Sequence, residues 1–180
     1  CRAWNAPLVN ISSSEVYGFS GTYHETDSCV TPFRLSHRIQ YAAGKLAGEQ
    51  LVRTSGLDAT SIRPFNVAGP RQSREKGFVI PTFCEQALAG EPLTVFETGT
   101  QERCPTGVWD LVDFIADHLN LLERHQMPEV VNVGNAHNRT TVFDLANTVL
   151  DITGSDSVVT FTTGKQVHGP EFEEAEGRRP

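Results

Sequence analysis

The sequence predicts an α/β protein, with part of a doubly wound parallel sheet followed by a small mixed α/β lobe. Two observations lead there. An apolar run, Leu8-Val-Asn-Ile11, and a β-branched run, Ala59-Thr-Ser-Ile-Arg63, flank one long helix-forming segment, and strand, long helix, strand is the unit that sets two parallel strands side by side. Beyond Pro70, helical and strand-like segments keep alternating between Gly/Pro loops, the order expected of an α/β chain.

Each element has a local reason. Leu8–Ile11 is short, apolar and ends in Ser12-Ser13-Ser14, so it reads as a buried strand opening into a polar loop. From Gly18 to about Leu35 the mixture of Gly, Ser, Thr, Asp and Pro reads as a long loop. Ser36 is placed to cap a helix running to about Thr54, rich in Ala, Leu, Gln, Glu and Lys, with Gly56 closing it. The strand from Ala59 ends at Pro64, where a proline is tolerated. Further helices are expected over 79–89, 110–123 and 141–153, and strands near 93–96, 130–133 and 158–161. A soft domain division is placed near Pro70, giving units 1–70 and 71–180, and the acidic run Glu171–Glu176 reads as solvated.

Composition excludes several function classes. The 180 residues are 38% hydrophobic and 21% charged, a globular balance, and no apolar run approaches the ~18 residues of a membrane span. Fifteen Lys and Arg against 22 Asp and Glu leave a net charge of −7, a field that repels nucleic acid while allowing a small anion held by placed arginines. Cys1, Cys29, Cys84 and Cys104 match no metal or disulfide spacing and suit a reducing cytoplasm. Six histidines, His24, His37, His118, His125, His137 and His168, show no paired spacing, so no metal is assigned and they read as surface or loop residues. With Met127 as the one methionine and no signal-like start, the chain reads as a piece of a longer protein.

Chemistry concentrates on the helix. Tyr41-Ala-Ala-Gly-Lys45 sets a phenol and an ammonium four residues apart, about 40° apart on one face at ~100° per residue. A phenol, with an ordinary pKa near ~10, serves as a base at neutral pH when a nearby cation stabilises the phenolate. The same pair also describes an ordinary helix surface; what distinguishes it is the serine cluster at the carboxyl end of the preceding strand, where open α/β sheets bind ligands.

Three blocks in order, Ser12-Ser-Ser-Glu-Val-Tyr-Gly18, Tyr41-Ala-Ala-Gly-Lys45 and Arg63-Pro-Phe-Asn-Val-Ala-Gly-Pro-Arg-Gln72, resemble the extended short-chain dehydrogenase/reductase family of NAD-dependent nucleotide-sugar epimerases, dehydratases and decarboxylases. The resemblance covers essentially the whole chain and implies a Rossmann-like cofactor domain with a nucleotide-sugar lobe. It implies that Ser13 hydrogen-bonds the sugar 4-hydroxyl, that Tyr41 removes its proton, and that Lys45 holds the nicotinamide ribose and favours the tyrosinate. Pro64 and Val67 would border NAD. Asn66 would contact the diphosphate, Val79 and Ile80 with the Leu93–Phe96 strand, Phe96 included, would sandwich the base, and Arg103 and Arg178 would clamp phosphate oxygens. A nucleotide-diphosphate sugar as substrate, a homodimer, no nucleic-acid or membrane partner and a cytoplasmic location complete the expectation.

The dinucleotide fingerprint Gly-x-Gly-x-x-Gly is the main departure, since no two of the 15 glycines lie two residues apart. The resemblance is therefore to the carboxyl-terminal half to two-thirds of such an enzyme, inactive by itself, or to a non-catalytic module that at most binds nucleotide sugar. Phe96-Glu-Thr-Gly99 and Gly107 also depart from the family pattern beside the expected nucleotide. Glu15, two residues after the expected catalytic hydroxyl, suits acid or base work at carbon 5 or 6 of the sugar in a 4,6-dehydratase or uronate decarboxylase; it equally suits local backbone capping. Because 4-epimerisation demands least of the residues present, the sequence alone places it first.

Overall fold

The computed structural model describes residues 6–18, 21–31, 36–74, 77–123, 128–169, 172 and 178–180; the side chains of residues 118, 120–123, 168, 178 and 179 lie outside that description. In chain order the strands are β1 (Leu8–Ile11), β2 (Gly21–Thr22), β3 (Ala59–Pro64), β4 (Val67–Ala68), β5 (Leu93–Phe96), β6 (Glu102–Arg103), β7 (Thr106–Gly107), β8 (Val130–Val133), β9 (Thr140–Thr141), β10 (Val159–Thr162) and β11 (Arg178–Arg179). The helices are α1 (His37–Thr54), α2 (Val79–Ala89), α3 (Val108–Glu123), α4 (Val142–Thr153) and α5 (Gly164–His168).

The expected strand-helix-strand unit is present. β1 and β3 are joined through α1 and run parallel, with Leu8 opposite Ala59 and Ile11 opposite Ile62. Helix α1 starts where a side-chain acceptor is available: Ser36 Oγ accepts from the Ile39 N–H at 3.1 Å, satisfying a donor that the first turn leaves orphaned. β3 is buried from Thr60 to Arg63, as the central strand of a sheet ordered β1-β3-β8 should be.

Strand β8 is expected from its position in sequence to belong with the second unit. It pairs instead with β3, parallel, with Ser61 opposite Val130 and Pro64 opposite Val133. The chain thus leaves the first sheet after β3, builds a lobe, and returns to the sheet before β9. An apolar strand reports that it will be buried and not which sheet will bury it.

The lobe has its own core. β5 and β10 pair in parallel, and α2 and α4 cover them with Phe83, Ala87, Val142, Ala146 and Val149 against Leu93 and Val95. Glycine ends both helices in the left-handed region, Gly90 at φ 69° and Gly154 at φ 63°, a conformation that costs glycine least. Short pairs join the remainder: β4 with β7, β6 with β9, and β2 with β11. A smaller apolar cluster of Val16, Tyr17 and Phe65 seals the turn after β1. No helix among the described residues is long and apolar enough to cross a membrane.

Candidate functional site

The carboxyl end of β1 runs directly into a single turn of 3-10 helix, Ser14–Tyr17, with Ser13 as its cap. Ser13 Oγ accepts from the Glu15 N–H at 3.2 Å, which occupies an acceptor position and leaves the hydroxyl proton available for donation. Helix α1 lies alongside. Lys45 Nζ donates to the Ile11 carbonyl at 2.8 Å, pinning the ammonium at the end of β1. The same nitrogen lies 5.6 Å from the centre of the Tyr41 ring, within cation–π range. Tyr41 is 49% exposed, so its phenol is open to a ligand.

Beneath this surface lies a buried polar network that sequence reasoning does not single out. Glu49 and Arg63 form an ion pair with both side chains at most 5% exposed. Arg63 Nε donates to Glu49 Oε1 at 2.9 Å and Nη2 to Oε2 at 2.6 Å, while Nη1 donates to the Tyr17 hydroxyl at 2.9 Å. The Tyr17 hydroxyl donates to Asn132 Oδ1 at 2.8 Å, and Ser12 Oγ donates to Glu49 Oε1. One network therefore ties the end of β1, the 3-10 turn, α1, β3 and β8. Burial raises the Tyr17 hydroxyl above the ordinary phenol range despite the Arg63 charge. For Arg63, burial opposes the charge, but the bonds from Glu49 and Tyr17 outweigh it and raise the guanidinium. A readable signal exists: Tyr41, Lys45 and Glu49 recur every four residues, which puts Glu49 one turn below the candidate site.

Glu15 is also engaged. Arg38, in the first turn of α1, donates Nε–H to Glu15 Oε2 at 2.7 Å. Sequence reasoning assigns Arg38 no role, because two residues separated by a loop of this length show no periodic relation.

The remaining candidates are dispersed along the rim and lobe. Pro64 ends β3 and Val67 opens β4, both half-buried. Between them Asn66 is exposed at φ 44°, a left-handed conformation that asparagine tolerates better than most side chains, and its carbonyl accepts from Thr106 N–H at 3.2 Å. Val79 and Ile80 start α2, with Val79 packed on the lobe core. Of the β5 residues expected around a base, Leu93 and Val95 are instead fully buried in that core, since alternate strand residues face opposite sides. Phe96 lies on the other face and meets Phe172 edge-on, with ring centres 5.5 Å apart. Arg103 is half-buried in β6 and donates to the Glu102 carbonyl at 2.8 Å; the Glu102 carboxylate pairs with Arg139. Arg178 contributes backbone to β11 opposite Gly21, but its side chain lies outside the described residues.

Gly99 is held in place by its surroundings. It sits at φ 71°, and a Cβ there would lie 2.7 Å from Val95 Cγ1, so glycine is needed by the lobe core. Gly107 is likewise tight, since a Cβ added there would lie 2.9 Å from Asp110 Oδ2. His24, His37 and His137 are exposed, His125 and the side chains of His118 and His168 lie outside the described residues, and no cluster suited to a metal occurs among those described. Cys29, Cys84 and Cys104 are in no disulfide, and Cys1 lies outside the described residues, as do the glutamates of the acidic run.

The donor chemistry fits one side of a dinucleotide. An ammonium carries three donors, and among the described residues Lys45 spends one on Ile11, leaving two for a ribose diol beside an open phenol. The glycine turn that receives a pyrophosphate is not in the sequence.

Comparison with known proteins identifies the family. A model of the NAD dependent epimerase/dehydratase family matches residues 1–134. The chain is 31% identical to a UDP-N-acetyl-alpha-D-glucosaminuronate decarboxylase of Bacillus cytotoxicus, over 96% of this chain and 54% of the relative. It is 35% identical to UDP-glucuronic acid decarboxylase 6 of Arabidopsis thaliana, over 84% of this chain and 44% of the relative. The crystal structure of UDP-glucuronic acid 4-epimerase from Bacillus cereus in complex with NAD superimposes with a TM-score of 0.75 at 25% identity, covering 96% of this chain and 51% of that one. The chain thus spans about half the length of the curated relatives it matches.

Proposed function

The chain belongs to the NAD-dependent epimerase/dehydratase family, and from that premise we propose that it carries the catalytic and substrate-binding residues of an enzyme that oxidises carbon 4 of a nucleoside-diphosphate uronate and then removes its carboxylate. The observation that carries the oxidation is the Lys45 ammonium, fixed by the Ile11 carbonyl at 2.8 Å and 5.6 Å from the Tyr41 ring, beside the Ser13 turn. Ser13 holds the sugar 4-hydroxyl through its available proton. Tyr41 takes the hydroxyl proton as carbon 4 becomes a carbonyl, and Lys45 places positive charge 5.6 Å from the centre of the phenol ring. Tyr41, Lys45, Pro64 and Val67 would hold NAD, together with a glycine turn that this sequence does not supply, and NAD when bound there would supply reversible hydride exchange with carbon 4.

The proposed substrate class is supported by the three proteins described above, each of whose names specifies a UDP-linked uronate. Chemistry then favours the second step. Once carbon 4 is a ketone, a carboxylate on carbon 5 makes the sugar a β-keto acid. The bond between carbons 5 and 6 breaks, carbon 6 leaves as carbon dioxide, the bond's electrons enter an enolate over carbons 4 and 5, and a proton added at carbon 5 restores the ketone. Glu15 stands on the turn next to Ser13, where a carboxylate serves that region of the sugar. Asn66, Arg103 and Arg178 are the proposed diphosphate contacts, with Val79, Ile80 and Phe96 around the base.

A second reading, 4-epimerisation, is favoured by the structural match to a uronate 4-epimerase. UDP-glucuronate labelled with carbon-13 at carbon 6, incubated with NAD and the protein as its full reading frame encodes it, separates the two by NMR. Labelled bicarbonate and a UDP-pentose are expected. Label retained in a sugar inverted at carbon 4 establishes the epimerase, and no turnover of any nucleotide sugar overturns both.

A further inference from the structure

We propose that Arg38 is a positioning residue for the step that follows oxidation, acting through Glu15; the proposal rests on the reading of Glu15 given above. Glu15 is tethered at both ends. Its backbone N–H is bound to Ser13 Oγ at 3.2 Å, and its carboxylate meets Arg38 through Nε to Oε2 at 2.7 Å and Nη2 to Oε1 at 3.5 Å. A guanidinium approaching both oxygens of a carboxylate fixes its direction as well as its place.

The pair is built into the face of α1 that carries the oxidation chemistry. Arg38, Tyr41 and Lys45 follow at spacings of three and four, so all three fall within roughly 100° of helix surface. Arg38 therefore links the turn bearing Ser13 to the helix bearing Tyr41, one turn ahead of that phenol. Its side chain is 29% exposed and that of Glu15 24%, so the pair is partly buried yet still open to a ligand. A carboxylate fixed at that place has a use in catalysis. Carbon 5 lies one bond from the carbon that Tyr41 and Ser13 address, so the group that serves it must be aimed independently of them.

Loss of Arg38 should leave oxidation running and let Glu15 swing. The test uses the protein as its full reading frame encodes it, NAD, UDP-glucuronate, and single-turnover absorbance of NADH beside quantified final product. In Arg38→Met the NADH rise should stay within about twofold of the wild-type rate, while product formation falls by roughly 10–100-fold, the scale of a misplaced catalytic group. NADH should persist where the wild type consumes it. Arg38→Lys keeps the charge without the fork and should give an intermediate stall; it carries the test alone if the methionine variant does not fold. Adding Glu15→Gln to Arg38→Met should cost nothing further, because both remove one function. NADH and product falling in parallel would mark Arg38 as merely structural and overturn the proposal, as would unchanged product or additive losses. A wild-type protein that forms no NADH from nucleotide sugars defeats the functional reading itself, before any substitution is made.

Discussion

Replacing Arg63 by methionine isolates the energetics of the buried network. The substitution keeps length and apolar stem, removes the charge, and leaves Glu49, 4% exposed, without the two donors that reach it at 2.9 and 2.6 Å. It also takes away the donor to the Tyr17 hydroxyl at 2.9 Å and the cation stacked 4.8 Å from that ring. Breaking a buried pair from one side costs about 3–5 kcal/mol, against a total stability of roughly 5–15 kcal/mol for a domain. For a chain of this size that corresponds to a fall in Tm of roughly 6–20 °C. Urea unfolding followed by circular dichroism should show the midpoint moving with little change of slope. Combining Glu49→Met with Arg63→Met removes both charges at similar volume and should recover most of the loss. A single Arg63→Met costing under about 1 kcal/mol, or a double variant worse than the single, would refute the reasoning that burial makes this pair interdependent.

Three further outcomes are expected. Arg103→Ala should weaken nucleotide-sugar binding by about 1.5–3 kcal/mol, the range of a charged hydrogen bond; unchanged affinity by calorimetry would move the phosphate contact elsewhere. Burial raises both the Cys29 thiol and the Tyr17 phenol, so the folded state holds those protons more tightly than the unfolded chain. Stability is then full below about pH 8.5 and falls as pH rises through the thiol and then the phenol range, and Cys29→Ala should flatten the first part of that fall in urea melts taken from about pH 7 to about pH 10.5. Residues 1–180 by themselves should bind NAD too weakly for calorimetry, since no glycine turn receives the pyrophosphate, and a low-micromolar constant would contradict the assignment of that role to the missing fingerprint.

Local signals are legible in the sequence and tertiary ones are not. α1 runs from the residue after Ser36, and α2 and β5 occupy the spans read from helix formers and apolar runs, because caps, glycine stops and periodicity act within a few residues. The Tyr41 and Lys45 face is readable for the same reason. Sequence order puts β8 with the wrong neighbours because a burial pattern names no partner strand. The Arg38 and Glu15 pair, 23 residues apart, and the Tyr17 to Asn132 bond, 115 apart, depend on how the loop and lobe fold back. Glu49 lies between these cases: its four-residue spacing from Lys45 is visible, whereas no local rule links it to the strand arginine that makes it half of a buried ion pair.

The central claim is that Tyr41 takes the proton from the sugar 4-hydroxyl, and Tyr41→Phe tests it by removing one oxygen from a side chain that is 49% exposed. The measurement is single-turnover NADH absorbance with UDP-glucuronate and NAD, set beside the calorimetric affinity for the same nucleotide sugar. General-base loss predicts a rate of NADH formation lower by roughly 10²–10⁴-fold with affinity nearly unchanged, because the base acts chiefly in the transition state. NADH forming at the wild-type rate in Tyr41→Phe would contradict the account.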